Sequence, residues 1–336
     1  MSEQNTYTRK YVFALAFIRG LIIHGVLRAN IKIPKALKIS LILLLLILIS
    51  FILTNLGGQK TDSENFFLGS RNLFEQVTLQ EDPVDDIIKV APLDFNGQLA
   101  IFIKNLKTGK TYEISADQKY TSASLYKLAV MWATFEAIEK GTLKKESILS
   151  ANKIVLDKTL EGAKNEERKP STGNDQEIIS YNVQEALRLM ITISDNYSAI
   201  LLSEKLGWRN IDDLMEKEGL GDFDLVSSNL QTSARSVGAL FERIYANSAV
   251  NSQASQEMKT LLYNQQINDR IPKYLPPDIK VGHKTGELDS IRHDAGIVLG
   301  KKSHYIFVFL TDTAQPLDAA EEIAVLSKQI FDALEQ

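Results

Sequence analysis

Hydrophobic and polar positions divide the 336-residue chain into zones of different period. Residues 39–56 are almost continuously apolar, and no charge occurs between Ile39 and Gln59. About 18–21 such residues suffice to cross a bilayer core as a helix, so one transmembrane helix is expected at 39–56. A shorter apolar stretch, 11–27, is broken by Arg19 and Gly20. It reads as an amphipathic or interfacial part of a basic cytoplasmic segment, 1–38, rather than as a second span. Residues 57–86 are polar and mixed in charge, with only Phe66, Phe67, Leu73 and Phe74 as sparse apolar points. That is the pattern of a tether, with room for a short helix packed on the domain. Globular patterning starts near Ile87 and makes 87–336 the folded domain.

Within that domain the period alternates between two and 3.6. Residues 98–104 and 110–115 alternate around an Asn105–Gly109 turn and predict a hairpin. A helix is expected from Ser124, carrying Leu128, Met131, Trp132, Phe135 and Ile138 on broadly one side and closing at Gly141. Residues 158–175 read as a charged, solvated loop. Asn182, with Glu185 three residues on, is a plausible N-cap for the next helix. Further helices are expected at 197–206, 209–219, 233–247 and 252–264. Three strands come after them at 279–285, 294–299 and 305–311, then a closing amphipathic helix at 318–334. Two strands early, helices in the middle and three strands late predict an α+β fold. It would be a five-stranded antiparallel sheet built from both ends of the domain, flanked by helices, with an all-helical subdomain inserted.

Charge sharpens the membrane reading. The chain has a net charge of −4, but residues 1–38 carry seven Lys/Arg against one acid, Glu3, which leaves −10 for the remainder. Arg28, Lys32, Lys35 and Lys38 precede the apolar run, and Asp62, Glu64, Glu81 and Asp82 come after it. The positive-inside rule then gives a single-pass cell-membrane protein with a cytoplasmic N-terminus and an extracytoplasmic domain. An acidic body argues against nucleic acid as a partner. The chain has no cysteine, which excludes disulfides, thiolate catalysis and Cys-ligated zinc. Its histidines, His24, His283, His293 and His304, lack metal-binding spacing, so no metal site and no cofactor is expected. His283 and His293 read as ordinary strand residues.

The candidate chemistry begins at Ser124 and Lys127. Residues three apart on a helix share a face. A serine hydroxyl needs a neighbouring base to become a nucleophile, and a partly buried lysine is such a base. A helix start also offers unpaired N–H groups to an oxyanion. Three short motifs occur in order: Ser124-Leu125-Tyr126-Lys127, Ser194-Asp195-Asn196 and Lys284-Thr285-Gly286. Ser150-Ala151-Asn152-Lys153 and Lys107-Thr108-Gly109 repeat two of these patterns in positions that do not suit the chemistry. Taken singly, Ser124 also fits a helix N-cap, Ser194-Asp195-Asn196 a polar break between helices, and Lys284 a solvated strand lysine.

As an ordered set on a helix start, an interhelical loop and a strand, the motifs resemble the penicillin-recognising serine hydrolases, and within them the class A β-lactamases. The likeness continues through 181–190 into Ile193-Ser194-Asp195-Asn196-Tyr197-Ser198-Ala199. It continues again from Gly282-His283-Lys284-Thr285-Gly286 to His293-Asp294-Ala295-Gly296, and spans about residues 90–334. The resemblance implies roles residue by residue. Ser124 would be the acylated nucleophile and Lys127 its proton partner. Ser194 would relay a proton to the leaving nitrogen, and Asn196 would bind the amide side chain of the substrate. Lys284, Thr285 and Gly286 would form the sheet edge that holds the substrate carboxylate. The backbone N–H groups of Ser124 and Glu287 would form the oxyanion hole, and Arg292 resembles an extra carboxylate-binding arginine. One element of the class A pattern is missing: the stretch 219–232 contains no deacylating glutamate, only Asp222 and Asp224. The expected protein is a membrane-anchored serine hydrolase acting on a β-lactam or on a peptidoglycan peptide with a carboxylate terminus. The alternatives are a D-Ala-type peptidase of cell-wall metabolism and a penicillin-binding sensor without turnover.

Overall fold

The computed structural model describes residues 82–162, 177–227 and 229–336. The expected span at 39–56, the basic segment 1–38 and the tether up to residue 81 lie outside the described residues. Among the described residues, no helix is long and apolar enough to cross a membrane.

Helix α1, Pro83–Asp94, opens the described domain, a few residues ahead of Ile87. Asp82 Oδ1 accepts the Val84 N–H at 3.0 Å and Pro83 occupies the first turn, so the helix start signal lies within the expected tether. Its apolar side, Val84, Ile88 and Ala91, is buried. Then come β1 (Gln98–Asn105), β2 (Thr111–Ile114), β3 (Lys119–Thr121), a 3₁₀ turn at Ala123–Leu125 and α2 (Tyr126–Glu139). A hairpin-like pair, β4 (Ile148–Asn152) and β5 (Ile178–Asn182), brackets α3 (Lys153–Gly162). The helical insert continues with α4 (Val183–Thr192), α5 (Asn196–Leu206) and α6 (Trp208–Lys217). After β6 (Gln231–Ser233) come α7 (Ala234–Tyr245) and α8 (Ser252–Tyr263). The chain ends in β7 (Lys280–Leu288), β8 (Ile291–Leu299), β9 (His304–Asp312) and α9 (Pro316–Leu334).

The main sheet has the order β2-β1-β9-β8-β7, antiparallel throughout, so both chain ends build it. One face packs on α1 and α9 through Ile101, Ile103, Phe307, Phe309, Ile323 and Ile330. The other packs on the helical part through Ala100, Phe102, Ile306, Val308 and the α2, α4, α5 and α7 side chains. The expected α+β architecture holds. Three local differences have physical causes. β7 and β8 run through 285–294 to a two-residue turn at Asp289-Ser290, where Asp289 takes φ +35°; that tight turn lets the strand continue past Gly286. Residues 158–162 end helix α3 rather than starting a loop. Helix α2 is buried on every side from Lys127 to Phe135, so it is the central helix of the domain rather than an amphipathic surface one.

Candidate active site

Ser124 sits in the 3₁₀ turn that leads directly into α2. In a 3₁₀ turn, residues i and i+3 eclipse, so Ser124 and Lys127 share one side. Ala123 takes φ +43° immediately before it, a conformation that costs about 1–3 kcal/mol unless its surroundings enforce it. Here they do. Thr121 pairs with Gln231 in the β3–β6 ladder, and the Ser122 N–H donates to Leu230 O at 2.6 Å. His293 Nε2 donates to Thr121 O at 2.9 Å, while its Nδ1 accepts the Thr311 N–H at 3.0 Å. Those two bonds fix a single neutral tautomer, and burial pushes the imidazole down to about 4. His293 is therefore a strut between the sheet and the nucleophile turn.

The fold brings five of the expected residues into one hydrogen-bonded group. Lys127 Nζ donates to Ser194 O at 2.6 Å, Ser194 Oγ at 3.2 Å and Asn196 Oδ1 at 2.7 Å. Lys284 Nζ donates to Ser194 Oγ at 2.9 Å and to Thr285 O at 2.8 Å. Ser194 takes φ +59° at the break between α4 and α5, and Asp195 caps α5 by accepting the Ser198 N–H at 2.7 Å. So the tripeptide both breaks the helix and turns the Ser194 and Asn196 side chains toward the lysines.

Lys127 and Lys284 are fully buried, and neither forms an ion pair with a described carboxylate. An ammonium with only neutral acceptors in a dry setting is destabilised relative to its neutral form. Burial pulls Lys127 down to about 7, partly opposed by Asp195. It drives Lys284 well below the ordinary lysine range, with Lys127 adding repulsion. As an ammonium, Lys127 has its three protons committed to Ser194 and Asn196; as a neutral amine it regains a lone pair. The half-buried Ser124 hydroxyl takes no part in this network among the described residues. Ser194 Oγ accepts from both lysines, which leaves its own proton free to donate elsewhere. Asn196 Oδ1 is engaged by Lys127, which leaves its amide N–H groups for a ligand.

The third expected segment lies against the nucleophile turn. A methyl added to Gly286 would come within 3.3 Å of Leu125 and 3.1 Å of His293, tight enough that these neighbours would have to shift by a few tenths of an ångström. Thr285 is buried beside it. The Glu287 side chain faces Arg292, its Oε1 3.2 Å from Arg292 Nη2. Arg292 Nη1 donates to Ile291 O at 2.7 Å and to Asp289 O at 3.3 Å, bracing the β7–β8 turn. The buried arginine next to this strand is Arg270, which sequence reasoning missed. No motif marks it, and it reaches the strand only through tertiary folding. Among the described residues, no cluster of three potential metal ligands occurs.

A buried lysine pair converging on one hydroxyl, one turn from a serine on a strained approach, defines a serine hydrolase of the β-lactamase type. The chain belongs to the β-lactamase enzyme family, whose profile matches residues 82–334. A β-lactamase of Bacteroides uniformis is 25% identical over 242 residues, 63% of this chain and 78% of that protein. The structure of PBP-A superposes with a TM-score of 0.67 at 20% identity, covering 76% of this chain and 97% of that one. A point mutant of PBP-A, solved as an acyl-enzyme complex with penicillin G, gives 0.66 at 20% identity over 76% and 97%. A class A β-lactamase of Bacteroides cellulosilyticus gives 0.63 at 20% identity, covering 76% and 99%.

Proposed function

We propose that this protein is a membrane-anchored, extracytoplasmic serine hydrolase that transfers an acyl group through Ser124 from a β-lactam or a carboxylate-terminated peptide amide. The observation that carries this reading is the convergence of Lys127 and Lys284 on Ser194 Oγ, at 3.2 and 2.9 Å, next to the Ser124 turn. Neutral Lys127 takes the Ser124 proton as Oγ attacks the carbonyl carbon. The backbone N–H groups of Ser124 and Glu287 receive the oxyanion. As the C–N bond breaks, Ser194 gives its proton to the departing nitrogen and is reprotonated from Lys127. Asn196 donates to the amide side chain of the substrate, and Lys284, Thr285 and Arg270 meet its carboxylate. The anchor is the apolar run 39–56 with its basic leading flank.

Slow deacylation fits the surroundings of the site better than fast. The two acids of the 219–232 stretch are both engaged. Asp222 Oδ2 accepts from Ser233 Oγ at 2.7 Å and its Oδ1 lies 3.6 Å from Lys119 Nζ. Asp224 Oδ1 accepts the Val226 and Ser227 N–H groups at 3.1 and 2.8 Å, and these bonds lower its pKa. Both are thus tied into the structure of their own loop and its neighbours. We therefore favour a D-Ala-type peptidase of cell-wall metabolism, or a penicillin-binding sensor, over a fast antibiotic hydrolase. The acyl-enzyme complex of the PBP-A mutant supports a stable adduct as the observable.

The test is covalent labelling by a fluorescent penicillin, with intact mass followed in parallel. One adduct per chain, lost in Ser124→Ala, is expected. Undiminished labelling of Ser124→Ala would refute the proposal, and multiple turnover without a detectable adduct would instead favour the β-lactamase.

A further inference from the structure

The carboxylate of Glu287 stands between two arginines. Its Oε2 accepts from Arg270 Nη2 at 2.9 Å, and its Oε1 lies 3.2 Å from Arg292 Nη2. The partners differ sharply in burial: the Arg270 side chain is 1% exposed, whereas that of Glu287 is 55% exposed. Arg270 is also incompletely satisfied. Its Nε and Nη1 have no hydrogen-bond acceptor, although Asp269 Oδ1 lies 3.3 Å from Nη1 out of line for a bond. The Nη2 bond to Glu287 is thus the single side-chain hydrogen bond this buried guanidinium makes among the described residues, with Asp269 as a poorly aligned second charge partner.

Arg270 is held rigidly. The next residue, Ile271, donates its N–H to Asp294 Oδ2 at 3.0 Å. Asp294 Oδ1 is 2.8 Å from His283 Nδ1, and His283 Nε2 is 3.0 Å from Asn268 Oδ1. The segment 268–271 is thus tied to β7 and β8 on both sides of the arginine. Along β7, residues 285 and 287 fall on the same face, which puts Thr285 and Glu287 together where Arg270 meets the strand. Arg270 is therefore preorganised for a carboxylate, while Glu287, half in solvent on an edge strand, is the mobile member of the pair.

We propose that Glu287 is an internal stand-in for the substrate carboxylate, which must leave Arg270 when an acidic substrate docks beside Thr285, so that Glu287 sets how strongly the site prefers acidic over neutral substrates. The inference rests on the serine-hydrolase reading for where the substrate lies. Two carboxylates cannot share one guanidinium edge without mutual repulsion. With Glu287 in place, part of the attraction of Arg270 for an incoming acid is offset. With a neutral amide there, the full attraction is available, and neutral substrates gain nothing.

The experiment measures binding alone, in the full-length chain carrying Ser124→Ala so that acylation cannot contribute. Affinities for benzylpenicillin and for its methyl ester are compared with and without Glu287→Gln. The preference for the acid over the ester should rise about tenfold, the size expected of a charged hydrogen bond, and adding Arg270→Gln should abolish the gain. Glu287→Asp, too short to span both arginines, should shift the preference in the same direction and serves if the glutamine variant does not fold. An unchanged or reduced preference overturns the proposal, as does the absence of binding by either compound. The acylation reading is judged separately, by labelling of chains that retain Ser124.

Discussion

The tripeptide Lys-Thr-Gly occurs twice, at 107–109 and at 284–286, and the two copies do different work. The first is the exposed turn of the β1–β2 hairpin, where Asn105 Oδ1 accepts the Lys107 and Thr108 N–H groups at 3.0 and 3.1 Å. The second is buried in β7, with Lys284 aimed at Ser194. The Ser-x-x-Lys pattern is duplicated in the same way. Ser150 is on the exposed side of β4, and Lys153 pairs with Asp157 at 3.0 Å, a hydrogen bond that raises its pKa. Lys127 meets only neutral acceptors in a dry core and is pulled the other way. Sequence identity gives these lysines the same chemistry; the environment decides which of them can hold a lone pair at neutral pH.

The contrast can be broken experimentally. The largest effect should come from Lys127→Met, which removes the proposed base: the rate of penicillin adduct formation should fall by about 10³-fold, whereas Lys153→Met leaves it within about twofold of wild type. Stopped-flow labelling of the two variants decides it, and equal losses would sink the distinction. Lys284→Met should lower the same rate by about 10²-fold, with Lys107→Met silent in the same assay.

A pH series sharpens the point. Because burial lowers Lys127 to about 7, its neutral form dominates above that value. Adduct formation should therefore climb about tenfold per unit below the midpoint and level off above it. A profile flat from about 5.5 to about 8.5 would exclude Lys127 as the base. The same shifts bear on stability. The unfolded chain holds a proton on Lys127 that the folded chain has released, so stability gains from this lysine as pH rises from about 7 toward the ordinary lysine value, and the lowering of Lys284 acts in the same direction.

The smallest expected effects separate the two glycines. Gly286→Ala forces a methyl against Leu125 and His293 and should cost about 1–3 kcal/mol with impaired labelling. Gly109 has open space around it but sits at φ +74°. Gly109→Ala should cost about 1–2 kcal/mol of conformational strain with labelling intact. Denaturant titration with parallel labelling tests both.

Much of this was legible in the chain. The five sheet strands declared themselves by alternation, and Asn182 indeed caps α4, accepting the Glu185 N–H at 2.8 Å. Its expected box partner went elsewhere, since Glu185 clasps Arg188 instead. The three-residue strands β3 and β6 were invisible because a period of two cannot be read over three residues, yet their pairing holds the Ser124 turn. Arg270 was invisible for another reason. Its significance lies in burial and in a partner, Glu287, brought up by tertiary contact, and neither leaves a mark in a linear pattern. Arg292, close in sequence to the Lys284 motif, braces the β7–β8 turn through Nη1 and faces the Glu287 carboxylate through Nη2.

The sheet's assembly from both ends makes the site depend on distant parts of the chain. β1 pairs with β9, Gln98 facing Asp312, and Lys284 reaches Ser194 from β7. Such distant pairings are slow, because the intervening chain must be closed before they contribute anything. During synthesis the serine emerges long before the strands that complete its surroundings. A nascent or truncated chain that ends before β9 would carry the serine without the catalytic setting, and activity should arise only once the last strand has been delivered.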